Sequence, residues 1–285
     1  MSLLGQPSTS VADAVQNTTL PALIDSHVHT DDERFEHDRT AVLQSARAAN
    51  VVAQILPGVS RRLWPRIKLL CSEHSDLFAC YGLHPCFCNE HAIEDIDELG
   101  SWLAREHPVA VGECGLDYQT AGGDKALQQR LFAAQLALAR EFNLPVVVHA
   151  RKAVEDVIRM IRSSGHSTGL VHSFSGSSQQ ARRLIDLGYK LSFGGAATFE
   201  RAKRLRQLVA ELPLDAILLE TDAPDQPDSH HSGQRNQPAY LTDVWRNLSE
   251  LREEPAEEIA WATTRNAIEL FRLPLAVDKQ NCLIV

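Results

Sequence analysis

The sequence predicts an α/β chain whose eight strands close into a (β/α)8 barrel, and three features of the residue order carry that expectation. From residue 20 onward an apolar, β-branched run recurs after each amphipathic segment. The runs are continuously apolar, as strands covered on both faces are. Their C-terminal ends turn polar, and those ends carry histidines and carboxylates. An open, doubly wound sheet shares the first two features, and periodicity does not separate the two folds.

The first run, residues 22–26, leads into Asp25-Ser26-His27-Val28-His29. Side chains at i and i+2 of a strand share a face, so His27 and His29 can present two imidazoles to one point. A lone His-x-His is more often an ordinary surface strand, so the weight falls on the other runs. These cover residues 51–56, 78–83, 109–112, 145–149, 169–172, 190–193 and 217–220. Helical patterns fill the gaps at 38–49, 62–73, 93–106, 125–141, 153–162, 178–187 and 199–211. Two more, at 238–251 and 255–271, finish the domain.

Composition fits that reading. The chain has 285 residues, 44% hydrophobic and 23% charged, enough for one large domain. The expected division is a flexible segment 1–20, a barrel 21–273 and a tail 274–285. No window nears the roughly 18 consecutive apolar residues of a membrane span, and the first twenty residues lack a secretory pattern. A soluble cytoplasmic protein is expected. Cys71, Cys80, Cys86, Cys88, Cys114 and Cys282 follow no disulfide spacing and are read as free thiols. Cys86-x-Cys88, with His84 and His91 nearby, is a weak zinc pattern. A formal charge of -9 argues against a wide phosphate-gripping surface, so a nucleic acid would have to be held locally.

The polar strand ends are His27, His29, His84, Glu113, His149, His172 and Asp222. Singly, Glu113 is better explained by an ion pair, and His149 or His172 by a hydrogen-bonded core position. Jointly they fall at the end of the barrel where such folds build their sites. A metal centre explains the whole set with one cause.

The ordered pieces are Asp25-Ser26-His27-Val28-His29, Gly82-Leu83-His84-Pro85, Gly112-Glu113-Cys114-Gly115-Leu116-Asp117-Tyr118, His149-Ala150-Arg151, His172-Ser173-Phe174-Ser175-Gly176 and Glu220-Thr221-Asp222-Ala223-Pro224. In order and spacing they resemble the TatD family of metal-dependent hydrolases over roughly residues 22 to 273. Gly233-Gln234-Arg235-Asn236-Gln237-Pro238 is similar to that family's last loop motif. The resemblance implies a TIM-type barrel of the metallo-dependent hydrolase type, with two divalent metals and phosphodiesterase activity on DNA, often as a Mg²⁺-dependent exonuclease. It implies that His27, His29, Glu113 and Asp222 bind one metal, and that Glu113 bridges to a second held by His149 and His172. His84, Arg151 and Glu220 match further polar positions of the family, and Arg235 and Asn236 are expected, with Arg151, to touch substrate. The sequence departs from the family in its loops. Thr120-Ala121-Gly122-Gly123-Asp124 is less basic than expected, and Asp225-Gln226-Pro227-Asp228-Ser229-His230-His231 is acidic and His-rich.

The chemistry of the residues points the same way. Metals about 3.5 to 4 Å apart activate a water and stabilise charge on a phosphoryl oxygen, and a carboxylate such as Glu113 can set that separation. Asp222 is the candidate general base. Arg151 shares the face of His149 if its strand continues, and could pair bidentately with phosphate or else cap the next helix. Four imidazoles and two carboxylates suit Zn²⁺ or Mn²⁺ by softness, whereas Mg²⁺ comes from the resemblance. Two other readings stay open: hydrolysis of an ester or amide, including aminoacyl-ester deacylation, and a metal-binding barrel without turnover. The sequence does not set the oligomeric state.

Overall fold

Strands β1 (Leu23–Asp25), β2 (Val51–Gly58), β3 (Leu77–Tyr81), β4 (Ala110–Asp117), β5 (Val146–Arg151), β6 (Gly169–Val171), β7 (Tyr189–Phe193) and β8 (Ile217–Leu219) form one sheet in chain order. Each pairs in parallel with the next. The computed structural model describes residues 20–120, 123–278 and 283–284, so the 1–20 segment (but for residue 20) and Cys282 lie outside the described residues. Hydrogen bonds close the barrel between β8 and β1. Ser26 donates to the Leu219 carbonyl from N–H at 3.0 Å and from its hydroxyl at 2.8 Å, and Asp222 N–H donates to His27 O at 3.0 Å.

Helices α1 (Arg39–Ala48), α2 (Trp64–Glu73), α3 (Asp95–Glu106), α4 (Lys125–Glu141), α5 (Val154–Ser164), α6 (Ser178–Asp186) and α7 (Lys203–Glu211) separate the strands, and α8 (Leu241–Ser249) and α9 (Ala256–Phe271) follow. Local chemistry fixes several ends. The Asp124 carboxylate accepts from Ala126 and Leu127 N–H at the start of α4, and Ser177 and Gln180 form a reciprocal capping box on α6. Gly165, at φ +67°, ends α5 in the left-handed conformation that suits glycine. Helix α7 begins four residues later than the pattern suggests, because Phe199 is extended after a 3-10 turn, Gly195–Thr198.

The core has two parts. Inside the barrel, Ile24, Ala53, Ile55, Cys80, Val147, Leu170 and Leu218 pack with Leu270 and Phe271 of α9. Between sheet and helices a larger cluster runs round the barrel, from Leu23 and Val42 to Leu219 and Leu248. The tail contains a short antiparallel pair, β9 (Ala276–Val277) with β10 (Leu283–Ile284). Among the described residues no helix is long and apolar enough to cross a membrane.

The largest departure from the sequence reading is β4, which continues past Gly112 to Asp117. Partners on β5 make it a strand: Gly115 lies opposite His149 and Asp117 opposite Arg151. A Cβ on Gly115, at φ +130°, would meet His149 O at 2.1 Å, so only glycine allows the two strands this approach.

Candidate active site

Glu113 sits at the centre of the barrel mouth with a side chain 2% exposed, and its two oxygens face different partners. Oε2 lies 3.3 Å from His27 Nε2 and 3.7 Å from His29 Nε2. Oε1 lies 2.8 Å from His172 Nε2, 3.1 Å from His149 Nδ1 and 2.9 Å from His84 Nε2. Asp222 Oδ1 completes the first group, 3.4 Å from His27 Nε2 and 3.6 Å from His29 Nε2. All of the expected strand-end residues therefore meet around one carboxylate.

The donor set fits metal. His27 Nε2 and His29 Nε2 are 3.3 Å apart, and a single proton cannot satisfy His27 Nε2 against His29, Glu113 and Asp222 together. Donors at about 2.1 Å from a tetrahedral ion stand about 3.4 Å from one another, which matches the spacing of this group. The second group is tighter, with His149 Nδ1 and His172 Nε2 3.1 Å apart, and suits an open coordination face. His27 and His172 stack at 3.8 Å between centroids, so both rings cannot comfortably carry charge. Burial and neighbouring His172 push His27 down to about 4. For His172 burial also lowers, but Glu113, Glu220 and Asp222 outweigh it and lift the imidazole to about 10. Burial would raise Glu113, yet His84, His172 and His27 hold it well below the usual carboxylate range.

Hydrogen bonds assign the remaining rings. His84 Nδ1 accepts from Cys86 N–H at 3.0 Å, which leaves its proton on Nε2 to donate to Glu113 Oε1. His149 Nε2 donates to Asp117 Oδ2 at 2.9 Å, leaving the Nδ1 lone pair turned to Glu113 and His172. Burial pushes the Cys86 thiol up to about 12, so it stays protonated and donates to the same Asp117 oxygen at 3.2 Å. Asp222 has φ +55°, a strained conformation for a non-glycine residue, and its second oxygen accepts from Gln226 Nε2.

A cavity of about 830 Å³ opens over this centre, lined on one side by the loops after β1 to β3 and on the other by those after β6 to β8. Arg151 lines it from the end of β5, on the face of His149, and its guanidinium has no ion pair among the described residues. Arg235 and Asn236, which the resemblance implies as substrate contacts, do not line it. Asp38 binds the Arg235 guanidinium at 2.5 and 3.0 Å, and Asn236, 2% exposed, donates to the carbonyls of Thr221 and Asp225 at 2.8 Å. Both are committed to holding the loop after β8. The acidic residues of that loop are likewise engaged, Asp225 with Arg34 at 2.8 Å and Asp228 with His231 at 2.7 Å.

A family model described as TatD related DNase matches residues 24–272 of this chain. The chain belongs to the TatD family. It is 41% identical over 254 residues to YjjV of Escherichia coli K12, described as an uncharacterized metal-dependent hydrolase, covering 88% of this chain and 98% of YjjV. YabD of Bacillus subtilis, with the same description, is 37% identical over 253 residues, covering 88% and 99% of the two chains. The crystal structure of YjjV, a TatD homolog, superposes with a TM-score of 0.87 at 39% identity, covering 90% of this chain and all of the other. This member of the TatD family is a metal-dependent hydrolase on a TIM-type barrel.

Several residues that build the site escaped the sequence reading. Asp117 lies four residues from Glu113, on the same face of β4, and that spacing was a usable signal. Gln128 and Gln135 are buried on α4, one of them fully. Gln135 accepts from Leu83 N–H at 2.8 Å and donates to Leu83 O at 3.2 Å, while Gln128 does the same for Asp117 at 3.0 and 3.1 Å. Their seven-residue spacing placed them on one helix face, but only the packed barrel shows what they hold. Asp25, fully buried, accepts from Thr221 N–H and hydroxyl and so ties β1 to the segment after β8.

Proposed function

We propose that this TatD-family hydrolase is a phosphodiesterase that cleaves DNA, acting on ends or single strands. The observation that carries the reading is the opposed orientation of the Glu113 oxygens, one to His27 and His29 and the other to His149 and His172. In this reading His27, His29, Asp222 and Glu113 would hold one divalent ion, and His149, His172 and Glu113 would hold a second. Zn²⁺ or Mn²⁺ suits the imidazole-rich donors, and Mg²⁺ is supported by the family likeness. When bound, such ions supply an activated water and charge stabilisation for a phosphoryl oxygen.

The protein's own residues do the rest. Asp222 accepts the proton of the attacking water, with Gln226 fixing the carboxylate from behind. Arg151 faces the cavity without a competing carboxylate and pairs with the non-bridging oxygens of the scissile phosphate. His84 holds Glu113 Oε1 through its Nε2 proton, which makes it a positioning residue. A concave mouth admits a chain end or a single strand more readily than the side of a duplex.

The test strips the purified protein of metal and reloads it with Mg²⁺, Mn²⁺ or Zn²⁺. Activity is then measured on single-stranded DNA, bis(4-nitrophenyl) phosphate and a panel of esters, aminoacyl esters and amides. Metal-dependent cleavage of the first two supports the reading. Turnover of esters or amides with DNA untouched leaves a metal-dependent hydrolase but removes the phosphodiesterase.

A further inference from the structure

Three cavity-lining aromatic side chains besides the histidines are Phe87, Phe174 and Phe193. Phe174 and Phe193 are 2% and 1% exposed and pack edge to face at 6.5 Å, so neither offers a free ring face. Phe87 differs. It lies in the 3-10 segment Pro85–Glu90 directly after β3, is only half-buried, and stands 5.8 Å from the His84 ring at a steep 66°. Its ring lines the cavity beside the cluster and, unlike those of Phe174 and Phe193, is not fully buried.

The arginines lining the cavity are just as unequal. Arg34 is held by both Asp32 and Asp225, and Arg66 by Glu36. Arg62 is 69% exposed, and its one ion pair among the described residues is to Glu90 at 3.9 Å, beyond hydrogen-bonding reach. Glu90 ends the same 3-10 segment that carries Phe87, so Arg62 and Phe87 border one side of the cavity, joined by Val59 and Leu63. A partly exposed aromatic ring, an apolar wall and a weakly held guanidinium are the elements with which proteins grip single-stranded nucleic acid.

We infer that the side of the cavity formed by the loops after β2 and β3 is a nucleotide subsite, where Phe87 stacks on the base next to the scissile bond and Arg62 binds the neighbouring phosphate. The inference rests on the phosphodiesterase reading and adds to it a place for the base. Arg151 and Arg62 then take successive phosphates on either side of a base lying on Phe87. Stacking tolerates every base, so the subsite selects for the presence of a base and not for its identity.

The test compares a single-stranded oligonucleotide with the same strand carrying abasic tetrahydrofuran residues at both ends, in the metal-loaded full chain. Phe87→Ala should raise KM for the natural strand about tenfold more than for the abasic strand, the range expected for loss of one stacked base. Phe87→Tyr, which keeps the ring, should restore the discrimination. Arg62→Gln should raise KM for both strands but not for bis(4-nitrophenyl) phosphate, which carries a single phosphate. An equal loss on natural and abasic strands after Phe87→Ala would show that the ring only packs against His84, and the subsite would be withdrawn. If the wild-type chain hydrolyses small esters and leaves both strands intact, the phosphodiesterase reading fails, and this inference with it.

Discussion

His149 is gripped from both sides: Asp117 Oδ2 lies 2.9 Å from its Nε2, and Glu113 Oε1 lies 3.1 Å from its Nδ1. Glu113 and Asp117 stand four residues apart on β4, and the register sets His149 opposite Gly115 midway between them. Asp117 thereby fixes the tautomer that points the Nδ1 lone pair into the cluster. Asp117→Asn, able to offer an N–H in place of a carboxylate oxygen, should weaken metal affinity by about 10- to 100-fold. Competition with a chelator, followed by metal analysis, measures it.

Glu113→Gln keeps the shape of the side chain and removes the charge shared by both groups of donors. Metal content should fall, and kcat on bis(4-nitrophenyl) phosphate should drop by orders of magnitude. Thermal unfolding of the metal-free protein should change little. A collapse of metal-free stability would instead assign Glu113 to the folding of the barrel.

Arg151→Ala and Arg235→Ala should separate cleanly. The first removes a guanidinium facing the cavity, and KM for DNA should rise. The second breaks an exposed pair with Asp38, so it should leave KM as in the wild type and cost less than about 1 kcal/mol of stability. Steady-state kinetics and thermal melts on both variants decide the matter.

A chain of charge -9 whose cavity is lined by one unpaired arginine, Arg151, and one weakly paired arginine, Arg62, should contact few phosphates. For a single strand the slope of log affinity against log salt is about -0.7 per phosphate neutralised, so two contacts give about -1.4. A much steeper slope, measured by anisotropy with a metal-loaded, inactive variant, would reveal a basic surface elsewhere on the molecule.

Gln135→Ala leaves the N–H and carbonyl of Leu83 buried without their partner, at a cost of about 1 to 3 kcal/mol. Because Leu83 precedes His84, activity should fall as well. Denaturant unfolding reads the first effect. Gln135→Glu, which retains the acceptor for Leu83 N–H, should recover part of both.

Much of this protein was legible from local rules. The alternation of apolar runs with amphipathic segments pointed to eight parallel strands, the polar strand ends favoured their closure into a barrel, and the two-residue period of a strand placed His27 with His29 and His149 with Arg151. The rule that such barrels build their sites at the C-terminal strand ends gathered Glu113, His172 and Asp222 beside them. What the sequence could not decide depends on distances between chain segments far apart in order. The sequence pattern ended β4 at Gly112, and only pairing with β5 carries it to Asp117 and makes that residue the partner of His149. Arg235 was expected at the substrate from its resemblance to the family's last loop motif, and the fold brings Asp38 to it across nearly two hundred residues. Arg62 carried no motif at all, and only the fold shows that it is weakly held, its one ion pair among the described residues lying 3.9 Å away at Glu90. A charged side chain is written in the sequence, but whether its charge is already satisfied is a property of the folded surface.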